Sequence, residues 1–263
     1  MTEAVSSTSA QPILEVRDVS KAYGHVQALS GVNFIANVGE VTAMVGDNGA
    51  GKSTLTKIIS GVARPDGGEL RFDGKPVTIP SPAAAQALGI ETVYQDLALA
   101  PDLDGAANIY LGREVVRGGL LGRLGVLDRG AMRSGAVDSF GDLGVVIKDL
   151  RAPVGFLSGG QRQGVAVARA ATWATKVIIM DEPTAALGVV QTRNVLDVIR
   201  RVRDRGLAVI LISHNMPEVL DVADRIEVLR LGRRVARFTR ETATLESLVG
   251  AMTGALVHEE QEA

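Results

Sequence analysis

Gly46-Asp47-Asn48-Gly49-Ala50-Gly51-Lys52-Ser53-Thr54 fits the pattern G-x-x-x-x-G-K-[ST]. It lies between an apolar run, Val41 to Val45, and a helix-like run, Leu55 to Ile59. A strand before and a helix after is the setting a phosphate-cradling loop needs. Glycines let the backbone curl so that successive N–H groups face phosphate oxygens, and the helix behind adds the positive end of its dipole. On this reading Gly46 through Thr54 hold a nucleoside triphosphate, Lys52 reaches the β- and γ-phosphates, and the Ser53 hydroxyl ligates Mg²⁺. A plain glycine-rich turn before a helix would share these letters; the flanking strand and helix argue against it.

The rest of the chain reads as α/β. Ile13 to Val19 predicts a strand with a turn at Lys21-Ala22-Tyr23-Gly24. Gly61 predicts the stop of the helix after the loop, and Asp73-Gly74 centres a hairpin over Glu69 to Val77. Ser81-Pro82 opens a short helix to Leu88, and Ile90 to Tyr94 reads as a strand. From about Pro101 to Leu157 the chain turns rich in Gly, Arg and Asp, with Gly118 to Gly125 expected as a loop. This predicts a helical subdomain inserted at about 97–160. Beyond it come a helix from Gln161 to Ala174 and a buried strand from Val177 to Met180. A helix from Val190 stops at Gly206, and a second buried strand runs from Leu207 to Ser213. Glu218 to Asp224 reads as a helix, Leu231-Gly232-Arg233 as a hairpin turn and Leu245 to Met252 as a last helix. Residues 1–11 and 255–263 are expected to be flexible, and no internal repeat is visible.

Composition removes several function classes. The net charge of −2 gives no global footprint for nucleic acid. Zero cysteines exclude disulfides, thiolate zinc sites and a thiol nucleophile. The polar start, Met1 to Gln11, lacks the pattern of a signal peptide, and no apolar run approaches a membrane span. A soluble chain is expected, with any membrane role running through a partner.

Two further stretches carry chemistry. Val177-Ile178-Ile179-Met180-Asp181-Glu182 is an apolar run ending in two carboxylates. A buried parallel strand delivers such residues to the carboxyl edge of its sheet, where ligands bind. There Asp181 can hold Mg²⁺ through water and Glu182 can polarise an attacking water; a strand end with solvated acids has the same appearance. Leu157-Ser158-Gly159-Gly160-Gln161 places two glycines after a serine just before a helix. That is a second anion-facing helix terminus in a chain with one phosphate loop.

Together, the phosphate loop, Leu-Ser-Gly-Gly-Gln and apolar-Asp-Glu-Pro resemble one family, the ATP-binding-cassette ATPases, over about Ile13 to Gly254. The resemblance implies a P-loop NTPase (RecA-like) core with an N-terminal antiparallel β subdomain and the inserted helical subdomain. It implies that Tyr23 stacks on adenine, that Gln95 senses Mg²⁺ and the γ-phosphate, and that His214 contacts the γ-phosphate as a catalytic partner of Glu182. It also implies that Ser158, Gly159, Gly160 and Gln161 cap the ATP of a second copy, giving a homodimer around two ATP molecules. Finer likeness, in Glu91 to Leu99, Asn108 to Glu114, Gly160 to Arg169 and Ile212 to Pro217, is to the ribose, xylose and fructose importers, above all their single-cassette fructose-import members. Those work with an integral-membrane sugar permease and, through it, a periplasmic or extracellular sugar-binding protein, so the expected place is the cytoplasmic face of the cell membrane.

One departure stands out. Most members carry Ser-Ala-Leu-Asp where this chain has Ala185-Ala186-Leu187-Gly188. The aspartate missing here helps wire one active site to the other in the family, and the resemblance leaves that coupling open. Import of another small solute stays an alternative, as does a soluble cassette working on DNA or ribosomes. Such soluble relatives usually carry coiled-coil insertions, zinc-binding cysteines or basic extensions, all missing here. A GTPase would need an Asn-Lys-x-Asp motif, and the chain has none. Glu182 and His214 argue against a cassette that binds ATP without hydrolysing it.

Overall fold

The computed structural model describes residues 12–147 and 149–255; the expected flexible ends, 1–11 and all but Ala255 of 255–263, lie outside them. Two sheets organise the chain. The first pairs β1 (Leu14–Tyr23), β2 (Val26–Ala36), β4 (Gly67–Phe72) and β5 (Lys75–Val77) antiparallel, in the order β2-β1-β4-β5. The second runs β10-β9-β3-β8-β7-β6, from β3 (Val41–Val45), β6 (Ile90–Val93), β7 (Val177–Asp181), β8 (Ala208–Ile212), β9 (Arg225–Arg230) and β10 (Arg233–Thr239). Within it β6, β7, β8, β3 and β9 are parallel and only β10 is antiparallel.

Because five strands point the same way, their carboxyl ends share one edge. β3 ends at the phosphate loop, β7 at Asp181-Glu182, β8 at Ser213-His214 and β6 at Tyr94-Gln95. That edge is where open parallel sheets bind ligands. Burial explains the composition of these strands: β3 and β8 are buried at every residue and apolar at all but Thr42, whose hydroxyl donates to Glu40 at 3.2 Å. Each such Val, Ile or Leu contributes about 1.5–3 kcal/mol relative to exposure. Alternate faces feed two cores, one with Val41, Ala43 and Val45 and the other with Met44, Leu55 and Ile58.

Between β6 and β7 lie α3 (Gly105–Tyr110), α4 (Gly119–Arg123), α5 (Arg129–Leu143), a single 3-10 turn (Val154–Phe156) and α6 (Gly159–Trp173). Asp104 and Asp128 cap α3 and α5 by accepting from Ala107 and Ala131 N–H groups, and Gly144 stops α5 at φ 64°. The chain after β7 gives α7 (Val189–Asp204), and α8 (Met216–Val222) and α9 (Leu245–Thr253) follow; α1 (Lys52–Ile59) and α2 (Pro82–Ala87) precede the insertion. Among the described residues, no helix is long and apolar enough to cross a membrane.

Three sequence expectations need correction. The turn expected at Lys21 to Gly24 falls at Gly24-His25 instead, since β1 continues to Tyr23, which pairs with Val26. The loop expected at Gly118 to Gly125 contains α4, held by an Arg117 N–H donating to the Val126 carbonyl at 2.9 Å. The helix expected from Glu218 starts at Met216, because Pro217 fits the first turn and needs no N–H partner there.

Candidate nucleotide site

The phosphate loop is shaped by what lies behind it. A Cβ on Gly46 would sit 2.2 Å from the Leu229 carbonyl oxygen, and one on Gly51 2.8 Å from that of Ala28. No side chain fits at either place, and Gly51 also needs φ 107°. The β9–β10 turn closes the far side: the Gly232 N–H donates to the Ala50 carbonyl at 3.0 Å, and the Ser30 N–H to that of Gly232 at 2.7 Å. Sequence patterns missed this wall, since a hairpin turn at Leu231-Gly232 carries no mark of the loop it touches.

Lys52 opens α1 with its side chain folded into the loop. Its Nζ donates to the Gly46 carbonyl at 2.5 Å and to that of Asp47 at 3.0 Å. Burial lowers its pKa, opposed by the nearby charges of Glu182, Asp47 and Asp181. Gly51, the residue before α1, offers no side-chain cap, so the helix keeps its first-turn N–H groups for another acceptor. Asp47, Asn48, Gly49 and Ser53 are exposed, Gly51 and Thr54 half-buried and Ala50 buried.

Asp181 ends β7 and Glu182 follows it. Burial, with the neighbouring Glu182 charge adding to it, pushes the Asp181 carboxyl above the ordinary carboxylate value, while Lys52 pulls the other way. Glu182 has φ 50°, a left-handed conformation costing about 1–3 kcal/mol for a side chain of this kind. Its N–H donates to the Ile212 carbonyl at 2.9 Å, and its Oε1 lies 2.8 Å from His214 Nδ1. The two catalytic candidates are therefore in contact, with His214 largely exposed and its Nε2 free of that bond. Behind them Thr184 donates to Glu218, and Asn215 Nδ2 donates to the other Glu218 oxygen at 2.7 Å. This brace between the β7 and β8 ends escaped the sequence reading.

Gln95 is exposed just past β6. The segment after it is pinned by Arg169 of α6, whose guanidinium donates to the Ala98 and Leu97 carbonyls at 2.7 and 2.9 Å. Tyr23 is 48% exposed, with Lys21 Nζ 5.5 Å from its ring centre. It pairs with Val26, two residues before the Ala28 that backs Gly51, so its backbone lies roughly 7 Å along the strand from that contact.

The second glycine-led terminus stands apart. Ser158 caps α6 in a box: the Gln161 N–H donates to Ser158 Oγ at 3.3 Å, and the Ser158 N–H to Gln161 Oε1 at 3.0 Å. Ser158 is exposed and Gly159, Gly160 and Gln161 half-buried.

Among the described residues no three or more His, Cys, Asp or Glu side chains gather as a metal site. A Mg²⁺ ion suits this edge nonetheless, since it is commonly held by one or two protein oxygens plus phosphate and water. The Asp181–Glu182 pair, with one amine to balance it, has the charge for such an ion.

The comparisons with known proteins bear on the family and the fold. The family described as ABC transporter matches residues 29–185. The fructose import ATP-binding protein FrcA of Rhizobium meliloti is 52% identical over 247 residues, 93% of this chain and 95% of that protein. The xylose/arabinose import ATP-binding protein XylG of Sulfolobus acidocaldarius is 48% identical over 92% of this chain and 94% of its own length. Among solved structures, a nucleotide-free ATP-binding cassette from an ABC transporter superposes with a TM-score of 0.77 at 26% identity, covering 92% of this chain and 98% of that one. With a family match over residues 29–185 and 52% identity across 93% of its length to an import ATP-binding protein, the chain belongs to the ABC transporter family as one of its ATP-binding cassettes.

Proposed function

We propose that this chain is the ATP-hydrolysing subunit of a monosaccharide importer and that two copies close around two ATP molecules. The observation that carries the reading is the second glycine-bearing helix terminus, set among exposed apolar residues. Ser158 to Gln161 face outward on a chain with one phosphate loop, amid exposed apolar residues: Phe156 at 84%, Val189 at 80%, Val146 at 77% and Val190 at 70%. Such a patch around an anion-facing terminus suits a second copy bearing a phosphate.

In each composite site Gly46 to Thr54 cradle the phosphates and Tyr23 stacks on adenine. Ser53, Gln95 and Asp181 hold Mg²⁺, which when bound neutralises phosphate charge. Glu182 aligns the attacking water, with His214 holding its carboxylate and facing the γ-phosphate. Catalysis is chiefly positioning and charge stabilisation. The insertion at about 97–160, tethered near Gln95 by Arg169, passes closure to a separate permease at the cytoplasmic membrane face, and an extracellular or periplasmic binding protein delivers the sugar. The importer names of both relatives support a sugar of the fructose or xylose kind.

Cross-linking tests the pairing cleanly, because the chain has no cysteine. Asn48→Cys and Gly159→Cys suit the purpose: Asn48 is exposed, and a Cβ at Gly159 meets only the Leu187 methyl, at 3.3 Å. In a Glu182→Gln background with ATP and a mild oxidant, a chain-to-chain disulfide should form that needs both cysteines and ATP, since the bond requires Cα atoms within about 7 Å. No cross-link, or an intrachain one, with ATP affinity intact would overturn the reading.

A further inference from the structure

Gln191 touches both ends of the machinery. It is the third residue of α7, whose first turn follows Gly188. Its stem lies against Gly160: a Cβ there would be 2.8 Å from Gln191 Cγ and 2.9 Å from its Cβ. Its amide oxygen lies over Gly188, 2.8 Å from where a Cβ would stand. Beside it, the Leu187 methyl approaches the Gly159 position at 3.3 Å. The glycines at 160 and 188 therefore leave room for one side chain, Gln191.

The same segment is joined to Glu182 by short steps. The Ala185 N–H donates to the Glu182 carbonyl at 3.1 Å, the Leu187 N–H to that of Thr184 at 3.2 Å, and the Thr192 N–H to that of Gly188 at 2.9 Å. A shift at Glu182 is thus carried along two turns to Leu187 and Gln191, and from them to Gly159 and Gly160. Because packed side chains are not continuously deformable, such a chain of contacts can move as one body.

We infer that Gln191 is a positioning residue: its stem on Gly160 and its amide over Gly188 set the pose of Ser158 to Gln161 relative to the segment leaving Glu182. The cap offered to the partner's ATP is thereby tied to this chain's own hydrolysis edge. This rests on the two-copy reading above. Any side chain at position 188 would bring its Cβ to 2.8 Å from the Gln191 amide oxygen, so glycine there leaves the amide its place.

The test reads ATP-driven dimer formation by sedimentation velocity in a Glu182→Gln parent, beside ATP affinity by titration of a fluorescent ATP analogue. Gln191→Ala should weaken the dimer about tenfold while leaving ATP affinity within about twofold. Gln191→Met keeps the stem and should stay within about threefold of the parent. Gly160→Ala drives a methyl into the stem and should weaken the dimer as much as Gln191→Ala. The double variant Gly160→Ala/Gln191→Gly should regain most of that loss, because the Gln191 Cγ and Cβ that the methyl would meet at 2.8 and 2.9 Å are then both gone and the nearest remaining atom is its Cα at 3.7 Å. A general structural role for Gln191 would not produce this rescue. An unchanged dimer in Gln191→Ala, ATP affinity falling in step with it, or no regain in the double variant would each overturn the inference. A parent that fails to dimerise with ATP would sink the two-copy reading and this inference with it; a dimerising parent isolates the role of Gln191.

Discussion

Two glycine-bearing helix starts are built differently: α1 follows Gly51, whereas α6 follows Ser158 and opens on Gly159 and Gly160. At α1 two of the three loop glycines are pressed on backbone, Gly46 on the Leu229 carbonyl and Gly51 on that of Ala28 beside the Leu29 side chain, while Gly49 stands open. No side chain caps the helix, and a buried lysine fills the loop. At α6 the walls are side chains, Leu187 and Gln191, and Ser158 and Gln161 satisfy each other in a capping box. Backbone holds the first loop directly, whereas the second takes its pose from two side chains that move with the segment leaving Glu182. The first terminus is a finished cradle that sequence-distant strands hold in one shape. The second is adjustable and exposed, a form suited to meeting a ligand held by another body.

If that division is right, chemistry and assembly should separate under mutation. Glu182→Gln keeps the shape of the β7 end but removes the carboxylate in contact with His214. Turnover should drop by roughly 100-fold or more, in the range of general-base loss, with ATP binding retained. Steady-state phosphate release measures the first and nucleotide titration the second. Turnover within a few-fold of the parent would place the chemistry elsewhere.

A smaller effect is expected at the rim of the finished cradle. Tyr23 is half exposed beside the strand that backs Gly51, and Lys21 already lies over its ring. Tyr23→Ala should cost about 1–3 kcal/mol of ATP affinity, by analogy with bases stacked on aromatic rings. Dimerisation at saturating ATP should be unaffected, since Tyr23 belongs to the first terminus alone. Unchanged affinity would leave Tyr23 as a surface ring.

The two termini were also unequally legible. Val41 to Val45 and the glycines after it announce a strand and a phosphate loop, because full burial and tight turning both dictate residue type locally. The same holds for Asp73-Gly74, whose φ values of 50° and 72° match the hairpin that the pair predicts. β2 was not legible: its register against β1 slips between Val32 and Leu29 and again between Leu29 and Gln27, which spoils the alternation that marks a strand. α4 was hidden by its glycines. The Leu229 wall, the Thr184–Glu218–Asn215 brace and the Gln191 contacts join segments far apart in the chain, and no local pattern encodes them.

Asp181 gives the smallest and most discriminating test, because its effect reverses with ligand. Burial and Glu182 raise its pKa above the ordinary carboxylate value despite the pull of Lys52. Between the unfolded value, about 3.9, and the higher folded one, the folded protein holds a proton that the unfolded chain has released. Stability therefore falls as pH rises through that window, and above it the ionised carboxylate carries its full cost. Asp181→Asn removes the charge at every pH. In nucleotide-free protein it should raise the melting temperature by about 2 °C near pH 7, with the gain shrinking as pH falls towards about 4. With Mg²⁺ and ATP the order should invert, since the variant forgoes the stabilisation that ligand binding gives the native state. Calorimetry at two pH values, with and without Mg²⁺ and ATP, reads all four cases. A lower melting temperature for the nucleotide-free variant near neutral pH would mean that the pairing with Lys52 outweighs burial, and that this carboxylate is a structural partner of the lysine rather than a charge held ready for the metal.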